Sequence, residues 1–153
     1  MTLAEYVDEE RVLDSLKAGT KDDILKELVD YLDGKNLLKD RDKTLNALLE
    51  REKLSSTGVG EEVAIPHAKL PDIDDIIILV ALSREGVDFD SSDGRDVKIF
   101  FLVLAPEKQM NLHLKTLARI SRLIKASGFK EKALAAGSSA EVCSILAEED
   151  AGL

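Results

Sequence analysis

A single cysteine, Cys143, excludes any internal disulfide. Proline is scarce, with only Pro66, Pro71 and Pro106, and each falls near the edge of an expected element. No apolar run approaches the roughly 18 residues that a membrane span needs, so direct membrane insertion is not expected. The opening residues Met1-Thr2-Leu3-Ala4-Glu5-Tyr6 lack the basic and then apolar segments of a secretory signal. With the lone cysteine, this makes a cytoplasmic location the default. No glycine-rich loop runs into Lys-Ser or Lys-Thr, so a nucleotide-binding P-loop is absent. There is no internal repeat and no low-complexity segment. Positive charge is short as well: 21 Lys and Arg stand against 30 Asp and Glu, a formal net charge of −9. Duplex binding needs a basic stripe to displace counterions, and none stands out, so nucleic acid is not an expected partner. The acidic balance serves solubility, and it also suits a partner with a basic docking face.

What remains is 153 residues, 44% hydrophobic and 33% charged, enough for one domain over 1–153 with a real core. Residues 3–18 read as a short helical turn followed by an edge strand around Val12 to Leu16. Thr20 and Asp23 resemble a capping box, and Ile24, Leu25, Leu28, Val29 and Leu32 follow at helical spacing up to Gly34. Asp40 caps a second helix through Leu45, Leu48 and Leu49, ending near Arg51 to Leu54. Ser55-Ser56-Thr57-Gly58-Val59-Gly60 reads as flexible. Val63-Ala64-Ile65 is a short apolar run that stops at Pro66-His67. Ile76 to Leu82 and Val97 to Leu104 are continuous and rich in Ile and Val, as strands buried on both faces are. Asp88-Phe89-Asp90 and Asp93-Gly94 read as loop and turn. Asn111 opens a long helix with Leu114, Leu117, Ala118, Ser121 and Ile124 as its core face, and Gly128 ends it. Ser138 and Glu141 frame a last capping box before Val142, Ile145 and Leu146. Helices, then strands, then helices predict an α/β sandwich, a mixed β-sheet flanked by helices.

The chain has two histidines, His67 and His113, both at element edges. His67 follows Pro66 at the rim of the expected sheet. His113 lies in the first turn of a helix, where free N–H groups favour an anion and disfavour a protonated ring. Neutral imidazole is a good nucleophile toward phosphorus, and phosphoryl transfer asks the protein chiefly for positioning and charge stabilisation. Arg51 has the planar fork to hold two phosphoryl oxygens, and His113 can donate to a third. Thr57 and the backbone around Gly58 and Gly60 offer further donors. Each feature also has a plainer reading. A histidine after proline is most often a loop residue, His113 alone a helix-start residue, and Arg51 between Glu50 and Glu52 a solvated helix end. Cys143 reads as a small core residue. Asp72, Asp74 and Asp75 read as a solvated loop, and two histidines without a third ligand make a poor zinc site, so neither metal nor cofactor is expected.

The local string goes further than spacing. The segment Leu49-Glu50-Arg51-Glu52-Lys53-Leu54-Ser55-Ser56-Thr57-Gly58-Val59-Gly60-Glu61-Glu62-Val63-Ala64-Ile65-Pro66-His67 resembles the active-site segment of IIA domains of the bacterial sugar phosphotransferase system, fructose/mannitol/nitrogen-regulatory type. Gly86-Val87-Asp88-Phe89-Asp90, Asp93-Gly94, Leu104-Ala105-Pro106 and Asn111-Leu112-His113-Leu114-Lys115-Thr116-Leu117 continue the likeness in order, most sharply over 48–125. The resemblance implies a mixed sheet flanked by helices, of the mannitol/fructose IIA type. It implies a phosphotransferase in which His67 accepts the phosphoryl group from the phosphocarrier HPr or its nitrogen-branch relative. His113 then matches the second active-site histidine, Arg51 the arginine that steadies the phosphoryl group, and Glu61 a position that is acidic in some members. Phosphorylation is expected at Nε2, with Nδ1 tied to a backbone carbonyl.

Two roles fit that family. A regulatory domain switches its binding to target proteins by phosphorylation, and a transport intermediate passes the group to a IIB domain. The wording of residues 55–60 and 64–70 looks most like the nitrogen-regulatory branch. A non-catalytic binding module is a third reading, and it requires the loss of His67, Arg51 or His113, none of which is lost. The sugar, the regulatory target and the oligomeric state are not legible.

Overall fold

The computed structural model describes all 153 residues. Two short 3-10 turns, Leu3–Glu5 and Glu9–Arg11, lead into β1 (Val12–Leu13), α1 (Lys21–Gly34) and α2 (Arg41–Leu54). The strands β2 (Gly58–Gly60), β3 (Val63–Ala64), β4 (His67–Leu70), β5 (Ile77–Val87) and β6 (Val97–Pro106) follow. The chain ends in α3 (Met110–Ala126), α4 (Phe129–Ala135) and α5 (Ser139–Ala151). The sheet is mixed, in the order β1-β5-β6-β3-β2, with β4 also paired to β6. β5 and β6 are antiparallel, while β1 runs parallel to β5, and β3 and β4 run parallel to β6.

The α/β sandwich follows from the alternation within β5 and β6. Ile78, Val80, Leu82, Ile99, Phe101, Val103 and Ala105 face one core, shared with Ile120 and Leu123 of α3, Phe129 of α4, and Val142 and Leu146 of α5. Leu79, Ala81, Phe100, Leu102 and Leu104 face a second core, built on Ile24, Leu25, Leu28, Val29 and Leu32 of α1 and on Leu45 and Leu48 of α2. Strands covered on both faces need no polar alternation, which is why their sequences read as unbroken apolar runs. Three helix starts hold as expected. Thr20, Asp40 and Ser138 accept the backbone N–H of Asp23, Lys43 and Glu141.

Several local expectations are corrected. Residues 55–60 are not a loose linker: Thr57 is buried and Gly58–Gly60 forms β2. Gly58 is needed there because a Cβ would lie 2.5 Å from Ser91 Oγ. Pro66 does not end the pairing. Val63 pairs with Ile99 and His67 with Val103 in one continuous register, and the Pro66 carbonyl accepts Val103 N–H, so only the missing donor interrupts the strand. The first edge strand is shorter than expected, and β5 runs on to Val87. Gly34 remains helical, and Asn36 takes the left-handed turn with φ 58°. α3 starts at Met110 after Gln109, so Asn111 is not its cap, and Gly128 precedes a further helix, α4. Its buried stripe is His113, Thr116, Ile120 and Leu123, whereas Leu114 is 58% exposed. The shift of face is possible because Thr116 satisfies its hydroxyl on the Leu112 carbonyl at 2.8 Å and can be buried.

Candidate active site

Strand parity decides where His67 points. Ala68 and Leu70 of β4 enter the core under α1 and α2. The alternate residues His67 and Lys69 therefore face the α3 side. There the His67 ring meets His113 edge-on, with centroids 5.4 Å apart and planes at 78°. Nδ1 of His67 lies 2.7 Å from the Ile65 carbonyl. A carbonyl only accepts, so Nδ1 carries the proton and Nε2 keeps its lone pair. His67 is half-buried. His113 is 4% exposed, and neither of its ring nitrogens has a protein hydrogen-bond partner.

Arg51 stands on the last turn of α2, where Nη1 donates to the Ser55 carbonyl at 2.9 Å. Its charge is felt at His67. Burial is the main cause holding the His67 imidazole below the ordinary 6.5, and Arg51 and Lys69 push the same way. The Ile65 bond and Glu52 oppose them. Burial also leads for His113, followed by His67 and Lys69. Neutrality of His113 thus follows first from burial rather than from its helix terminus. The net charge of the chain misleads locally, since the cations Arg51 and Lys69 act on His67 and Lys69 also acts on His113.

Thr57 is present beside the site but is not a free donor. Its N–H and its hydroxyl both go to the Glu52 carboxylate. The Gly58 N–H goes to Ser56 Oγ at 3.0 Å, so this segment offers fewer donors than its sequence suggests. Glu61 sits at the far end of the β2–β3 hairpin. With φ of 57° and 69°, Glu61 and Glu62 make its two-residue turn. The Glu61 N–H donates to Asp93 at 2.8 Å, and the Glu62 carboxylate holds Arg95 at 3.0 Å and Lys98 at 3.2 Å. From Val63 at the foot of this turn to His67 is about 13 Å of extended chain, and Glu61 is not among the groups that shift His67. The structure therefore puts His67 against His113, leaves Arg51 within electrostatic reach of His67, links Thr57 to His67 through the Ile65 backbone, and places Glu61 in the β2–β3 turn.

Sequence reasoning missed Glu52. Its side chain is 6% exposed and pairs with Lys21 Nζ at 2.9 Å. The signal was available: Leu45, Leu48 and Glu52 fall on one helical stripe, and a carboxylate on an apolar stripe implies a buried partner.

Burial of two imidazoles gives a stability prediction with a definite sign. The unfolded chain protonates both near 6.5, and the folded chain only at lower pH. Just below 6.5 the unfolded state therefore binds more protons, and stability falls as pH drops through that value toward the lowered folded ones. Thermal melts between about pH 7.5 and 5.5 should show Tm declining on the acid side. His113→Leu should flatten that decline, and an equal slope in the variant would contradict it.

No helix is long and apolar enough to cross a membrane. Comparison with known proteins shows the family. The family model described as phosphoenolpyruvate-dependent sugar phosphotransferase system, EIIA 2, matches residues 5–149. A nitrogen regulatory protein of Bradyrhizobium diazoefficiens is 39% identical over 150 residues, covering 96% of this chain and 95% of that protein. A fructose-specific EIIA component of Haloferax volcanii is 38% identical over 130 residues, covering 85% and 84%. The fructose-specific EIIABC component of Bacillus subtilis is 33% identical over 150 residues, covering 98% of this chain, which spans only 24% of that longer protein. The crystal structure of nitrogen regulatory protein IIA-Ntr from Neisseria meningitidis superposes with a TM-score of 0.86 at 28% identity, over 94% of this chain and 98% of that one. Fold, ordered motifs and relatives agree, and the chain belongs to the EIIA type-2 family of the phosphotransferase system, whose members are phosphotransfer proteins.

Proposed function

We propose that this protein accepts a phosphoryl group on Nε2 of His67 from a phosphorylated HPr-like carrier protein and passes it on, acting in the cytoplasm as a regulatory IIA of the nitrogen type. The observation that carries this reading is the 2.7 Å contact of Nδ1 with the Ile65 carbonyl. It leaves Nε2 as the nucleophile, beside His113 and within the field of Arg51.

In the reaction, the Nε2 lone pair attacks phosphorus. The P–N bond of the donor phosphohistidine breaks, and its electron pair returns to the donor imidazole. No proton needs to move, because Nδ1–H stays on the Ile65 carbonyl while the ring takes on positive character. Burial favours the neutral starting ring. Arg51 holds phosphoryl oxygens with its fork, and a His113 N–H supplies a donor to another. His113 is buried and its N–H has no protein acceptor, which leaves that N–H free to donate to a phosphoryl oxygen.

The regulatory role rests on the wording of residues 55–60 and 64–70, and on a relative of that name matched over nearly its whole length. A specific observation keeps sugar transport as the second reading: a fructose-specific EIIA of similar length is almost as similar. In that role a IIB domain receives the group. The test is transfer of labelled phosphoryl from phosphoenolpyruvate through enzyme I and either HPr or its nitrogen-branch relative. The expected product is an acid-labile, alkali-stable phosphoprotein, labelled faster by the nitrogen-branch donor. Preference for HPr would favour transport, and no label from either donor would overturn the carrier role.

A further inference from the structure

One buried carboxylate has no part in the transfer step, yet it is connected to the nucleophile. Glu52 accepts the Thr57 N–H at 3.2 Å, the Thr57 hydroxyl, and Lys21 Nζ at 2.9 Å. The Thr57 carbonyl accepts the Ile65 N–H at 3.0 Å. The Ile65 carbonyl accepts Nδ1–H of His67 at 2.7 Å. Both sides of the Ile65 residue are thus committed, one to the Glu52-anchored segment and one to the nucleophile.

We infer that Glu52 is a positioning residue for His67, with Lys21 as its counter-ion. The assignment rests on the carrier reading for its importance but not for its geometry. Glu52 acts in two ways. It fixes the Ser55–Thr57 segment, and through Thr57 and Ile65 it fixes the carbonyl that sets the His67 tautomer. It also places a negative charge within electrostatic reach of a ring that gains positive character when Nε2 bonds to phosphorus. In a site where an anion is largely screened from water, that charge is worth more than on the surface. Lys21 keeps it from being an isolated buried anion, and is itself placed by Asp90 at 3.6 Å and by the Phe89 ring at 4.8 Å. His113 packs against His67, the charges that act on its ring are those of Arg51, Lys69 and Glu52, and of these only Glu52 is an anion.

The test uses two variants with opposite signs. Glu52→Gln keeps the shape and an acceptor for Thr57 but removes the charge. Lys21→Met keeps the carboxylate and removes its counter-ion. NMR titration of His67 should move to lower pH in Glu52→Gln and to higher pH in Lys21→Met, each by about half a unit or more. Nitrogen shifts should show the Nδ1–H tautomer in the wild type and a mixture in Glu52→Gln. The rate of labelling should fall about tenfold in Glu52→Gln with the donor KM unchanged. A merely structural role would lower stability in both variants and shift His67 the same way in both, or not at all, and either result overturns the assignment. The titration needs no phosphodonor, so it decides the matter even where the wild type takes no label.

Discussion

His67→Ala is expected to bring acid-labile labelling down to background, a loss of more than about 10⁴-fold. The size of the effect follows from how little else on the chain can act as a nucleophile. Nitrogen has to present a lone pair to a partner protein, and only His67 combines an assigned free nitrogen with partial exposure. The rings touch, but His113 is no substitute, since it is 4% exposed and presents no nitrogen at the surface where a donor docks. Cys143 faces the Val7 carbonyl at 3.5 Å from α5, and burial raises its thiol pKa, which leaves little thiolate. A His67→Ala protein should fold normally, because half-buried His67 contributes one backbone bond and an edge contact. Circular dichroism and melting would confirm this alongside the label. Retained label in a folded His67→Ala protein would place the acceptor elsewhere and overturn the site.

How much of this was visible in the sequence depends on the scale of the feature. The long apolar runs of β5 and β6 announced strands buried on both faces, and caps at Thr20, Asp40 and Ser138 marked three helix starts. Strands of two to four residues carry no usable period, so β2 went unseen and β3–β4 was read as ending at Pro66 although its register continues past it. The face of α3 was misread by one position for a chemical reason. Leu114, Leu117, Ala118, Ser121 and Ile124 were read as the core face, while the buried stripe contains His113 and Thr116, which look polar until Thr116 is seen bonded within its own helix. That rotation matters for function, because it buries His113 against His67 instead of leaving it at a solvated helix start. Motif wording singled out His67, Arg51 and His113, of which the structure sets the two histidines edge to face. It also put Glu61 with them, and the structure spends that residue on a hairpin turn held by Asp93. Helical periodicity could have flagged Glu52 as buried, but its partners lie in contacts between α1, α2 and the Thr57 segment that only the fold supplies.

The same burial makes His113→Leu expected to stabilise the protein while disabling it. In the resting protein the imidazole holds two polar nitrogens in the core rim without partners. A buried unsatisfied polar group costs about 1–3 kcal/mol, and leucine has nearly the same volume with no polar atom. Repacking against His67, Leu112 and Leu117 should return only part of that cost, so a gain of about 1 kcal/mol is expected, or roughly 2–4 °C in Tm for a chain of this length. Labelling of His67 should fall about 10²–10³-fold, the usual consequence of removing one donor aimed at developing charge. Donor binding should change little, since His113 is hidden from the docking surface. The two shifts belong together. A buried N–H kept without a protein acceptor trades resting stability for stabilisation of the transferred group. His113→Gln separates the two effects, because it keeps a donor and should recover part of the rate while remaining less stable than His113→Leu. A His113→Leu protein that melts below the wild type would show that the imidazole is satisfied in the resting state. One that labels at the wild-type rate would remove His113 from the transfer step.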